Sequence, residues 1–245
     1  MASTKTLNLL GEIAAEQWGL ITRRQALNGG LPQTTFDRLA AEGSILERVA
    51  QGVYRLTLAP IPDHLALRAA WLQLVPDVPA WQRNSIDGVV SHRSAADLYR
   101  IGHLPADRHE FTVTKRKQSR RSDVHIYVKE LKNNEWIELN GLPVTIPSRT
   151  ALDLLRSSED PTAVAQVIAD AIRNTYDYPA AIAKALRPLA FRFGFRREDG
   201  IGLLSWLLDL VGDPNAPIWL KEARENNRRQ RNGTNHPSGP GPYPA

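Results

Sequence analysis

Four groups of residues have types and spacings that could do chemistry. The first is Glu130-Leu131-Lys132, an E-x-K triplet with Asp107 and Asp123 upstream. Metal-dependent nucleases use this composition, holding Mg²⁺ on two acids and a lysine near the attacking water. Such triplets arise often by chance in a chain with 23% charged residues, and Asp123 lies close by where a strand runs into a turn, so a surface turn is the simpler reading. The second group is the six histidines, among them His92, His103 and His109, and none has His-Glu-x-x-His spacing for zinc. No Gly-x-Ser-x-Gly turn presents a serine nucleophile, and no Gly-x-x-x-x-Gly-Lys loop is available to cradle a phosphate. Cysteine is absent, which removes disulfides, thiolate zinc sites and cysteine nucleophiles together. The expectation is a protein with no catalytic residues, no metal and no cofactor.

The third and fourth groups concern polyanions. The chain carries 31 Lys and Arg against 26 Asp and Glu, a net charge of +5, with a pI near 9.6. Five basic residues and no acid occupy Lys115-Arg116-Lys117-Gln118-Ser119-Arg120-Arg121, and five more lie between Lys221 and Arg231 against Glu222 and Glu225. Both stand out from a mixed background, and clustered charge of this kind is the electrostatic footprint of a nucleic-acid binder. Gln33, Thr34, Thr35 and Arg38 are side-chain types that read base edges: Arg pairs with guanine, Gln with adenine, and a Thr methyl touches thymine. Arg23 and Arg24 are expected to reach phosphates, while Arg48, Gln51, Tyr54 and Arg55 fall where a β-wing meets the backbone or the minor groove.

These residues need elements to position them. Leu7, Leu10, Ile13, Ala14 and Trp18 recur at three- and four-residue spacing and predict an amphipathic helix. Thr22-Arg23-Arg24-Gln25 has the form of a capping box opening a short helix over 23–28, which Asn28-Gly29-Gly30 stops. Pro32 suits the first turn of a third helix that runs to Glu42 and ends at Gly43. Ile45 to Val49 and Val53 to Leu56 read as two strands around Ala50-Gln51-Gly52. Three helices and a hairpin in this order predict a winged helix-turn-helix, whose third helix buries Phe36, Leu39, Ala40 and Gly43 and exposes Thr34, Asp37, Arg38 and Ala41.

The expected fold class is α+β: this unit over residues 1–60, then a larger mixed α/β C-terminal domain over 61–225. A proline-bearing turn at Pro60 and Pro62 marks the boundary. Beyond it the pattern predicts a helix from Asp63, a helix over Arg93 to Arg100, and strands at 110–114, 124–128, 136–139 and 142–146, with Asn140-Gly141 as a hairpin turn. Further helices follow: Ser148 capping Arg149 to Leu155, then runs opened by Asp160-Pro161 and Pro179, then the very apolar Ile201 to Val211. That last segment is expected in the core, with an exposed dimer or partner contact as the alternative. Residues 226–245, basic and then rich in Pro and Gly, are expected to be a disordered tail. The start MASTKTLNLLGEIAAEQWGL has no long apolar run before its first carboxylates, and no segment has about eighteen consecutive apolar residues. Neither secretion nor membrane spanning is expected.

The run Trp18-Gly19-Leu20-Ile21-Thr22-Arg23-Arg24-Gln25-Ala26, the third helix, and Ile45 through Leu56 with its Gly-Val-Tyr-Arg ending resemble the N-terminal domain of AbiEi antitoxins, transcriptional regulators of type IV toxin–antitoxin systems. The likeness continues more loosely through Val90 to Ala96, Phe111-Thr112-Val113 and Leu142 to Leu154, covering about residues 5 to 190. The resemblance implies a cytoplasmic, DNA-binding antitoxin that represses its own operon at promoter inverted repeats. It also implies a C-terminal domain that counteracts an AbiEii-like nucleotidyltransferase toxin encoded beside it, with no stable complex required. In that family the C-terminal domain can add a positive face to operator binding, a role that would fall here to Lys115, Arg116, Lys117, Arg120 and Arg121. Three alternatives stand beside this reading: a winged-helix regulator without antitoxin role, a winged helix used for protein contact because the first sixty residues are only +1, and the nuclease. Binding to inverted repeats calls for two copies on DNA, from a protein that is monomeric or dimeric in solution.

Overall fold

The computed structural model describes residues 3–117, 119 and 121–231, with the side chains of 230 and 231 left aside. The chain divides into two compact units, the first of Met1–Val90, Phe111–Leu131 and Gly141–Pro143, the second of Ser91–Glu110, Lys132–Asn140 and Val144 onward. The expected boundary near residue 60 falls inside the first unit.

That unit begins with α1 (Thr4–Ala15), opened by the Ser3 hydroxyl accepting from the Thr6 amide at 3.2 Å. It continues with β1 (Leu20–Thr22), α2 (Arg23–Asn28), α3 (Gln33–Glu42), β2 (Leu46–Ala50) and β3 (Val53–Leu56). The capping box forms in full, the Thr22 hydroxyl taking the Gln25 amide and the Gln25 side chain taking the Thr22 amide, each at 3.0 Å. Helices and strands in this order are those of a winged helix-turn-helix. The strand β1, not foreseen, pairs antiparallel with β3 in a sheet ordered β1-β3-β2. Gly52 turns the wing at φ 72°, a conformation that a Cβ disfavours. Leu10, Ile21, Ala26, Leu31, Phe36, Leu39 and Leu46 form the core beneath it, with Ala40 half-buried against them and Gly43 exposed at the helix end.

Helix α4 (Leu65–Leu74) packs against β1, β2 and β3. Two buried amides hold the chain that follows it. Gln17 and Gln25 bond each other, Gln25 also donates to the Val78 carbonyl at 3.0 Å, and Gln17 Oε1 takes the Ala80 amide at 3.2 Å. Such a pair is stable in the interior because its donors and acceptors are met. Arg68 stacks on Trp18 at 4.3 Å and Arg83 on Trp71 at 4.4 Å, while the two indoles meet edge to face. Burial lowers the pKa of each of these arginines to about 10.

Strands β4 (Val89–Val90), β5 (His109–Val113), β6 (Val124–Val128), β7 (Trp136–Leu139) and β8 (Leu142–Thr145) form a sheet ordered β6-β5-β4-β8-β7, with Val89 opposite Thr112 in the antiparallel β4–β5 pair. The remaining helices are α5 (His92–Tyr99), α6 (Pro147–Arg156), α7 (Pro161–Arg173), α8 (Pro179–Leu186), α9 (Gly200–Val211) and α10 (Ala216–Arg231), with 3-10 turns at Ala80–Gln82 and Arg187–Phe193.

In the second unit Arg149 is buried between Asp153 and Glu135, at 2.7 Å from each. Helix α9 packs on α7, α8 and α10 and buries Leu203, Leu204, Leu207 and Leu208 in the core, leaving Leu210 exposed at its end. Gly200 permits this, since a Cβ there would stand 1.9 Å from the Ala183 carbonyl oxygen.

Two expectations need correction. Ser148 does not cap α6: the helix starts two residues before Arg149, at Pro147, and the Ser148 amide donates to Asp177 at 2.8 Å. Nor does a tail begin at 226. Ala216, Leu220 and Ala223 are buried at helical spacing, and α10 carries on to Arg231, with Asn227 accepting from Arg187 at 2.8 Å. Residues from 232 lie outside those described.

Candidate nucleic-acid interface

The candidate surface belongs to the first unit. Helix α3 buries Phe36 and Leu39 and exposes Gln33, Thr34, Asp37, Arg38 and Ala41, with Thr35 half-buried. Its first residues therefore present the short polar face that a major groove requires. No side-chain cap closes its N-terminus, which Pro32 precedes.

The cations around this face are mostly paired. Arg23 forms a two-pronged bond to Asp37 at 3.0 to 3.1 Å and lies over the Phe36 ring at 5.9 Å, fixing α2 against α3. Arg24 reaches Asp77 at 2.9 Å, and Arg38 reaches Glu42 one turn along at 2.6 Å. These pairs are substantially exposed, so each holds its cation weakly.

The wing is different. Arg55 is 11% exposed, bonded to Glu47 at 2.6 Å and donating to the Leu56 and Ala59 carbonyls, so it braces the hairpin instead of reaching outward. Tyr54 sets its ring edge-on to Phe36 at 5.0 Å and belongs to the core margin. Both were expected to contact DNA; the register sets Arg55 opposite Glu47, its ion-pair partner, and Tyr54 opposite Arg48. Arg48 and Gln51 remain exposed.

In the loop after β5, Lys115 and Arg116 are exposed. The ammonium of Lys117 donates to the Asp87 carbonyl at 3.0 Å, and partial burial lowers its pKa. Arg121 is clasped by Asp123 and donates to Gln73 Oε1 at 2.6 Å. Arg120 lies outside the described residues. Sequence reasoning missed Gln73, whose partners are distant in the chain. It also missed the acids that answer the arginines, although Arg38 and Glu42 at i,i+4 were a readable signal.

Two of the acids considered for a nuclease meet arginines, Asp123 paired with Arg121 and Asp107 with Arg93 at 3.7 Å. Among the described residues no group of three or more His, Cys, Asp or Glu side chains could hold a metal ion. A cleft of about 280 Å³ in the second unit, between α8, α9 and α10, carries Lys184, Arg187, Arg196 and Arg197. Glu198 and Asp199 offset them, and Asp199 already caps α9 by accepting from the Gly202 amide at 2.8 Å. No helix among the described residues is long and apolar enough to cross a membrane.

Elements and exposed face together define a winged helix-turn-helix of the kind found in DNA-binding regulators. Residues 8–57, which span α1 through β3, match a family described as transcriptional regulator, AbiEi antitoxin. The looser likeness out to residue 190 lies beyond that match. No curated protein matches the chain.

Proposed function

We propose that the chain is a DNA-binding transcriptional regulator of the AbiEi antitoxin type. The observation that carries this reading is the exposed, polar N-terminal face of α3 inside the segment that matches that family. Gln33, Thr34, Thr35 and Arg38 contact base edges and neighbouring phosphates, and Arg23 and Arg24 exchange their exposed carboxylate partners for phosphates. Arg48 and Gln51 lie along the backbone beside the wing, and Lys115, Arg116, Lys117 and Arg121 add positive charge. Residues 1–60 act as the DNA-binding domain and residues 61–225 as the antitoxin domain.

The protein acts in the cytoplasm without catalysis. It represses its own operon at promoter inverted repeats, where two copies assemble, and counteracts a nucleotidyltransferase-like toxin encoded beside it. A salt-titrated mobility-shift assay on the chain's own upstream DNA, against a scrambled duplex of equal length, tests this. Upstream-specific shifts in two steps are the expected result. Equal affinity for both duplexes would leave the winged helix as a protein-contact module, consistent with its charge of only +1.

A further inference from the structure

Gln73, near the end of α4, bridges two segments of the first unit. Its Nε2 donates to the Gln51 carbonyl in the wing turn at 2.7 Å, and its Oε1 accepts from Arg121 at 2.6 Å. The two partners fix the orientation of the amide, because a carbonyl only accepts and a guanidinium only donates. Arg121 is held in turn by Asp123, while Lys117 ties the loop to Asp87. A cleft of about 300 Å³ bordered by Gln73, Lys117 and Ser119 separates the loop from α4. The base of the loop is thus anchored, and the wing turn stands two hydrogen bonds away from it.

The charges sort along the same line. Arg23, Arg24, Arg38, Arg55 and Arg121 each meet an acid. Arg48, Lys115 and Arg116 are exposed and meet none among the described residues. A paired guanidinium must give up a carboxylate to take a phosphate, whereas an unpaired cation releases only the duplex's counterions.

We infer that Gln73 is a positioning residue: it holds the wing turn and Arg121, at the end of the loop that carries Lys115 and Arg116, at a fixed spacing, so that Arg48 on one and Lys115 and Arg116 on the other engage the phosphates of a duplex as a single set. This rests on the DNA-binding reading above, and it separates cations with no carboxylate to give up from cations that must first release one.

Two measurements on the full chain test it. The chain has no cysteine, so spin labels at Q51C and S122C report the spacing of wing and loop without DNA. A narrow distance distribution is expected with Gln73 and a broad one with Q73L. Q73E keeps an acceptor for Arg121 but cannot donate to Gln51, so it should broaden the distribution while folding normally. The second measurement is the slope of log affinity against log salt on the upstream duplex. At about 0.9 per phosphate, Q73L should flatten it by about 1.8, the share of Lys115 and Arg116, with the preference over scrambled DNA retained. Specific binding with an unaltered slope and distance in both variants would overturn the role of Gln73 alone. A wild-type chain that binds no duplex would overturn the phosphate role together with the DNA-binding reading, whatever the labels report.

Discussion

The ion pairs around α2 and α3 and the ion cluster around Arg149 use the same chemistry in opposite settings. Arg38 and Glu42 are 43% and 44% exposed, whereas Arg149 and Asp153 are 6% and 0% exposed. In water an exposed pair is worth about 0–1 kcal/mol, because solvent screens the attraction and two long side chains lose freedom. In the interior each charge has already lost its hydration, so removing one partner strands the other at a cost of about 3–5 kcal/mol. Exchange with an outside anion is therefore cheap in the first region and forbidden in the second. One set of arginines can exchange partners while the other is architecture.

The largest expected effect tests the buried side. Asp153→Ala leaves the Arg149 guanidinium with Glu135 alone and should destabilise the chain by about 3–5 kcal/mol in urea unfolding. Asp37→Ala, which frees Arg23, should change stability by no more than about 1 kcal/mol. Equal losses in the two variants would erase the distinction.

Next comes recognition itself. Arg38→Ala should weaken binding to the upstream duplex by about 1–3 kcal/mol while leaving unfolding within about 0.5 kcal/mol of wild type. Unchanged affinity and sequence preference would remove α3 from the interface. A smaller, opposite effect should follow from Glu42→Gln, which releases Arg38 and lifts a like charge from the approaching duplex. Mobility shifts should then show tighter binding and a salt slope steeper by roughly 1.

What could be read from the sequence follows the distance over which each feature is determined. The Thr22–Gln25 capping box, the helix over 23–28, and the strands at 124–128 and 136–139 were legible because each is set by neighbours a few residues apart. The exposed face of α3 was legible for the same reason. The partners of Arg55 were not legible, because they are Glu47 across the hairpin and the Ala59 carbonyl. The amide pair Gln17–Gln25 and the bridge at Gln73 carry no local signature, since their partners lie up to 63 residues away. Helix α10 is the case where a signal existed and composition masked it: Ala216, Leu220 and Ala223 keep helical spacing beneath a strongly polar surface.

The smallest effect extends the contrast between exposed and buried charge to a single carboxylate. Asp177 is buried, and burial pushes its pKa up despite the amides of Ser148 and Tyr178 that favour the ionised form. A carboxyl whose folded pKa is raised above its unfolded value near 3.8 contributes its stability below that value and loses it as the pH rises through the folded one. Asp177→Asn keeps an oxygen for the α6 amide and cannot ionise, so it should abolish this part of the pH dependence and narrow the difference between mildly acidic and neutral stability. The measurement is urea unfolding of both forms from pH 4 to 7. Parallel curves would mean that the two amide donors fully offset the burial of this carboxylate.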